Sequence, residues 1–378
     1  MRKVLLVATV QSHIAQFHTP LIEMLTEKGV EVQIAARDNL KEKNGLKISD
    51  KVSKVYDVPF SRSPLSSQNI KAYKLLKEII LKNEFDVIHC NTPVGGIIPR
   101  IIKKREKINS KIFYTVHGFH FYKGGPIKNW LIYYPIEKYF SKYTDCIITI
   151  NDEDYMLAKT KMKAKSTKHI NGVGVNVDSF KKFDKTNVEN IKKELKLNDN
   201  IVFTSIGELN KNKNQIMQIE AMQEITKQYP NVKLLMLGNG PLKTQYEEEI
   251  RNRNLNKNIE LLGYRRDVAD ILNSIDCLIS TSKREGLAVN ILEGLASGRI
   301  VIASDNRGNR PAIKNGETGF LIHSKEELIK DMKDVIENKE KIINKMEPKI
   351  KSTIQEYSIE VVKKQLEEIY KSEGIWVK

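Results

Sequence analysis

A strand–helix alternation runs through the first 150 residues, stops at a short Gly/Asn stretch, and starts again. No other feature restricts the fold as much. Short β-branched runs (Lys3–Ala8, Val30–Ala35, Val52–Val58, Asp86–Cys90, Ile112–Val116 and Cys146–Ile150) alternate with segments of helical character (Ile14–Lys28, Ile70–Lys82, Gly95–Lys104 and Ile127–Phe140). Apolar strands that alternate with helices over such a length form a parallel sheet covered on both faces. Asn171–Asn176, with two glycines and two asparagines, suits a linker or hinge. The pattern then resumes with strands Ile201–Ile206, Val232–Leu237, Ile259–Leu262, Cys277–Ser280, Ile300–Ala303 and Gly319–Ile322. Helices Asn214–Gln228, Leu242–Arg253, Val268–Asn273 and Leu287–Ala296 fall between them. A chain of 378 residues is too long for one typical core. The expectation is an α/β protein of two Rossmann-like domains, 1–170 and 171–355, followed by Lys/Glu-rich helix.

Composition excludes several classes. At 40% hydrophobic and 29% charged the chain is an ordered globular one. No run of about 18 apolar residues is long enough to span a membrane. Met1–Val7 reads as a buried strand rather than a signal peptide, because its apolar run is brief. Cys90, Cys146 and Cys277 lack metal or redox spacing and read as buried thiols in a reducing cytoplasm. The net charge of +16 is uneven: residues 1–170 hold 29 Lys and Arg against 16 Asp and Glu, and the remainder 34 against 31. A lysine-rich background explains such a bias, as does a polyanion or an anionic membrane surface as partner. Nucleic acid is not expected, since no aromatic-studded basic motif or helix-turn-helix pattern is present.

The stretch Ser282–Ala303 reads as loop, helix, glycine stop and strand, with Glu285 in the loop and Glu293 in the helix. Both carboxylates then sit at the carboxyl ends of parallel strands, where open α/β sheets bind ligands. Other fragments stand at strand ends in fixed order: Ser12-His13 with Phe17-His18, His117-Gly118-Phe119-His120, and Gly207-Glu208-Leu209 with Lys213. They continue with Gly238-Asn239-Gly240-Pro241, Gly263-Tyr264-Arg265 with Asp267, and Asn315-Gly316 with Gly319.

This ordered set, which covers nearly the whole chain, resembles the glycosyltransferases of family 4 with the GT-B fold. Glu285-Gly286-Leu287 and Glu293-Gly294-Leu295-Ala296-Ser297-Gly298 are close to that family's EGxPxxxLEAxAxG signature. The histidine fragments resemble the branch acting in capsule, exopolysaccharide and lipid-linked glycan assembly. The resemblance implies two parallel sheets facing a central cleft. The first domain takes the acceptor, the second takes a nucleotide sugar, and a closing helix, about 356–378, packs back on the first domain. It implies that Glu293 clamps the donor ribose. Glu285, with the amides of Gly286 and Leu287, meets the sugar, and Lys213 meets the diphosphate. His117 holds the donor sugar or polarises its surroundings. Gly207, Glu208, Asn239, Arg265 and Arg307 belong to the donor side. Ser12, His13, His18 and His120 line the acceptor side or serve the structure. The reaction implied retains anomeric configuration and uses neither metal nor cofactor; Asp152-Glu153-Asp154 reads as a helix N-terminus, where acids favour the dipole.

Three positions depart from the family pattern. Glu208 stands where arginine is common, Asp305-Asn306-Arg307-Gly308 where many relatives carry a Gly-Gly pair, and Ala288 where proline is usual. Either Lys211, Arg284 or Arg307 replaces the missing cation, or Glu208 turns towards the acceptor. The implied donor is a UDP-linked sugar, with an N-acetylhexosamine as one candidate. The implied acceptor is a polyprenyl-diphosphate-linked saccharide at the inner, anionic face of the cell membrane. Two rivals share the fold: a UDP-sugar epimerase, and a membrane-associated scaffold without activity. Phe119, Phe121, Tyr122, Trp130, Tyr133 and Tyr134 read as packing core or as an acceptor- or membrane-facing surface.

Overall fold

The computed structural model describes residues 1–43, 45–181, 183–197 and 200–376; positions 377–378 of the expected closing helix lie outside the described residues. The chain divides into two compact units, Met1–Gly174 together with the segment from Ile359, and Val175–Ser358.

Unit 1 is built on β1 (Lys3–Val10), β2 (Glu31–Arg37), β3 (Lys54–Asp57), β4 (Val87–Asn91), β5 (Lys111–Val116), β6 (Cys146–Thr149) and β7 (Ser166–His169). They form one parallel sheet in the order β3-β2-β1-β4-β5-β6-β7. β1 and β4 are buried almost throughout, as central strands are when helices cover both faces. Those helices are α1 (Gln11–Phe17), α2 (Thr19–Glu27), α3 (Gln68–Lys82), α4 (Pro93–Glu106), α5 (Ile127–Phe140) and α6 (Asp152–Lys161). The single helix expected over Ile14–Lys28 is in fact two. His18 is non-helical (φ −118°, ψ 9°) and Pro20 opens α2. A proline inside a continuous helix lacks its N–H and clashes with the preceding turn, so the break falls just before it. β7 has no counterpart in the sequence reading. It is a four-residue edge strand, Ser-Thr-Lys-His, half-buried and without the apolar run that marks a central strand.

Unit 2 carries α7 (Val177–Lys181), α8 (Lys185–Glu194), β8 (Ile201–Ile206), α9 (Ile216–Gln228), β9 (Val232–Leu237), α10 (Lys243–Asn252), β10 (Ile259–Gly263), α11 (Val268–Asn273), β11 (Cys277–Ser280), α12 (Val289–Ala296), β12 (Ile300–Ser304), β13 (Phe320–Ile322) and α13 (Lys325–Gln355). Its sheet is parallel in the order β10-β9-β8-β11-β12-β13. α13 is two helices joined at Asn338, whose backbone is non-helical. Cys90, Cys146 and Cys277 are buried free thiols in the strands.

In each sheet the strand order reverses once, between β1 and β4 in unit 1 and between β8 and β11 in unit 2. Chain leaving the carboxyl ends of such neighbours diverges and opens a crevice.

The closing helix α14 (Ile359–Ser372) belongs to unit 1 and packs on α2. Lys363 pairs with Glu23 and Glu27, and Lys28 with Glu367. Its deepest anchor is Tyr370, whose hydroxyl lies 2.7 Å from His89 Nδ1 in the core, while His89 Nε2 lies 2.7 Å from Thr115 Oγ1. Burial lowers the His89 pKa to about 3, so the ring is neutral and each nitrogen needs a partner. Y370F leaves one buried nitrogen unsatisfied and is expected to cost ~1–3 kcal/mol, read as a lower midpoint in urea unfolding.

Candidate functional site

At the switch point of unit 2, the loops after β8, β9 and β10 interlock through their backbones. Gly207 N–H donates to Leu237 O and Gly238 N–H to Gly263 O at 2.7 Å; Leu209 N–H reaches Asn239 O at 3.1 Å. Gly238 has φ +134°, and a Cβ there would lie 2.1 Å from Gly207 O. Only glycine allows both that conformation and that approach. Asn239 and Glu208 are left exposed on the rim of these loops. The Glu208 carboxylate accepts from Asn210 Nδ2 at 3.0 Å, and its carbonyl from Gln215.

The loop after β8 is joined to the one after β11. Lys283 N–H donates to Asn212 O and Asn212 Nδ2 to Arg284 O. Asn210 Oδ1 caps the amides of Asn212 and Lys213. This clamp sets Lys213 Nζ 2.8 Å from Glu285 Oε1, with both side chains mostly shielded. The third support is the segment after β12. Asn306 Nδ2 donates to Ser282 O, and Gly308 presses so closely on Glu285 that a Cβ would sit 2.6 Å from its backbone carbon. Arg307 is buried, with Nε 3.4 Å from Glu285 O, so it braces that loop from behind. Arg265 is held by both oxygens of Asp267 and by Glu194.

Helix α12 begins at Val289, two residues later than its composition indicates, after the Gly286-Leu287-Ala288 turn. Asn290 in its first turn donates to Ile206 O at 2.9 Å and so ties the helix to the end of β8. The sequence reading passed over Asn290; its signal is a lone amide on a helix whose other first-turn residues are apolar. Glu293 is half-buried in the next turn. Desolvation by the surrounding protein raises its pKa to about 7, and among the described residues no hydrogen bond or ion pair reaches its carboxylate. A carboxylate that the protein partly desolvates without supplying a donor is poised to accept from a ligand.

The switch point of unit 1 holds the other group. His13 lies in α1, His18 in the corner between α1 and α2, and His117 just beyond β5. Their ring centroids are 4.6 to 5.3 Å apart. Burial lowers all three pKa values, that of His117 to about 4, and keeps the rings neutral. His117 Nε2 meets Asn91 Oδ1 at 3.3 Å. Ser12 is tied to Asn39 through both its amide and its hydroxyl. His120 stands apart from the trio, its ring 4.7 Å from that of Tyr133. Ser12, His13, His120 and Tyr133 line one cavity of about 370 Å³, with Arg62 and Thr92. Thr92 was not singled out from the sequence. It has φ +65° and ψ 154°, a strained conformation for a β-branched residue, held by hydrogen bonds from Thr9 to its hydroxyl. The aromatic cluster divides between roles: Phe119 and Phe121 are buried, while Trp130, Tyr133 and Tyr134 are half-buried around them.

Two family models match, one described as glycosyl transferases group 1 over residues 187–353, the other as glycosyl transferase 4-like over residues 3–151. A Bacillus subtilis (strain 168) protein that carries the name glycosyltransferase EpsD is 37% identical over 324 residues, 85% of this chain and 83% of that protein. The Escherichia coli UDP-Gal:α-D-GlcNAc-diphosphoundecaprenol α-1,3-galactosyltransferase is 31% identical over 262 residues, 67% of this chain and 65% of that protein. Among solved structures, Anabaena HepE in complex with UDP-glucose superposes with a TM-score of 0.77 at 17% identity, over 98% of this chain and 100% of that one. At that identity the likeness is one of fold.

Glu293 makes a stability test independent of activity. Its pKa in the folded protein, about 7, lies above the ordinary 4.5, so the native state holds the proton more tightly and stability falls as pH rises through this window. E293Q should therefore raise the unfolding free energy at pH 8 by ~1–3 kcal/mol, with the difference vanishing below pH 4.5. Urea titrations at the two pH values read it.

Proposed function

Because the chain belongs to the group 1, family 4-like glycosyltransferases and has their GT-B fold, we propose that it transfers a sugar, with retention, from UDP to a polyprenyl-diphosphate-linked saccharide in the assembly of a surface polysaccharide. The observation that carries the donor reading is the carboxylate of Glu293, which has no partner among the described residues. Two vicinal ribose hydroxyls can both donate to it, which supplies the missing hydrogen bonds and favours the ionised form. Lys213 supplies the cation for the diphosphate, and Glu285 holds that ammonium in place while offering an acceptor to the sugar hydroxyls. Glu208, exposed and bonded to Asn210, leaves the missing arginine without a direct replacement there.

In the step itself the acceptor oxygen bonds to the anomeric carbon on the face that the diphosphate leaves. The bond from that carbon to the diphosphate oxygen breaks with its electron pair, and the acceptor's hydroxyl proton passes to the departing oxygen. Lys213 lowers the barrier by meeting negative charge as it grows. No protein nucleophile and no metal takes part.

Two features support a lipid-linked acceptor on unit 1. The Escherichia coli relative is named for a diphosphoundecaprenol-linked acceptor. Helix α5 exposes Ile127, Leu131 and Ile132, flanked by exposed Lys123, Lys128 and Lys142. An apolar strip edged with lysines suits the surface of an anionic leaflet. No helix among the described residues is long and apolar enough to cross a membrane.

The enzyme is tested by supplying UDP-sugars with a short polyprenyl-diphosphate disaccharide and identifying the anomer by NMR. An α-linked trisaccharide from an α-linked donor is expected. Efficient transfer to the free disaccharide overturns the lipid reading, and an epimerised nucleotide sugar without acceptor favours the epimerase. K213A is expected to lose one charge-assisted contact, ~1.5–3 kcal/mol, so turnover at saturating donor falls roughly 10- to 150-fold. The double variant I127Q/L131Q should leave transfer to a detergent-dispersed short-chain acceptor intact and reduce co-sedimentation with anionic vesicles several-fold.

A further inference from the structure

From the convergence of three imidazoles, we propose that His13, His18 and His117 form a binding site for a divalent transition metal of the zinc class. One ring nitrogen from each residue lies within 4.8 Å of the other two. Nε2 of His13 and Nε2 of His18 are buried and have no hydrogen-bond partner among the described residues, although almost all such groups in a folded interior find one. His18 and His117 line a cavity of about 20 Å³, room for roughly one small ion or water. The contact of His117 Nε2 with Asn91 Oδ1 orients that ring and leaves Nδ1 as the lone-pair nitrogen, as the outer partners of metal-bound histidines do.

The donor set selects the metal. Three nitrogens and no carboxylate suit zinc or its neighbours, whereas magnesium and calcium require oxygen. Tetrahedral zinc with Zn–N near 2.0–2.1 Å needs nitrogens roughly 3.3 Å apart. The site therefore closes by about 1–1.5 Å on binding. Three protein ligands leave a fourth position for water or an anionic oxygen. His13 also borders the larger cavity that Arg62, Thr92 and His120 line. Ligation takes the place of the sugar-holding role that the family resemblance implies for His117. It does not enter the transfer step above, which uses no metal.

The test uses the full chain without a histidine tag, stripped with chelator and titrated with Co²⁺ alone, then with Zn²⁺. The expected result is one equivalent of cobalt with the visible d–d bands of a tetrahedral site, displaced by zinc, and a rise in thermal midpoint with either ion. H13Q and H117Q should each weaken binding on the order of 100-fold, while H169Q, outside the group, binds as the parent does. Because His18 is the most buried of the three, H13Q and H117Q carry the test, with circular dichroism confirming that each is folded without metal. Absence of the bands, or unchanged binding in H13Q/H117Q, overturns the proposal.

Discussion

Every strand of both sheets runs parallel to its neighbours, so all the carboxyl ends of a sheet lie along one edge. The functional residues depend on that constraint. A parallel connection must cross over a face before the next strand begins. The segment that leaves each strand end is therefore the only part of the repeat free to vary without disturbing the core. Where the order reverses, at β1/β4 and at β8/β11, two such segments part and leave room. The histidine trio stands at the first reversal. Lys213 and Glu285 stand at the second.

The two sites manage charge in opposite ways. In unit 2 the cation and one carboxylate neutralise each other at 2.8 Å, while the second carboxylate, Glu293, is partly desolvated and has no partner among the described residues. A partly buried acid without a donor destabilises the fold, and such a residue makes sense as a ligand-binding group whose partner arrives with the substrate. In unit 1, whose sequence is strongly basic, the packed histidines carry no charge. His13, His18, His89 and His117 are kept uncharged by burial and by one another. The excess positive charge remains outside, on helices such as α5, where it can meet an anionic surface.

The fold class was legible because the central strands are short, mostly apolar runs and the strand ends of unit 2 are punctuated by glycine, as at Gly207, Gly238 and Gly263. β7 was not legible, because an edge strand of Ser-Thr-Lys-His buries too little to need apolar residues. The break between α1 and α2 was written in Pro20, yet the helical period runs through it and masks the corner at His18. For the donor side, spacing singled out Glu285, Glu293 and Lys213 but said nothing of how they are held. Asn290, Asn306 and Gly308 do that work from separate loops, and their role appears only as hydrogen bonds and close approaches.

The sequence by itself determined the repeating unit, the parallel sheets and the identity of the acids and bases at strand ends, because these follow from periodicity and from the conformations glycine alone allows. The tertiary structure decided which of those groups meet. It paired Lys213 with Glu285 across 72 residues, left Glu293 without a donor among the described residues, and brought His117 to His13 and His18 from the far side of the unit's sequence. Contacts between distant segments carry no local pattern, since the cost of closing such loops is met by packing of the whole sheet rather than by the residues that touch.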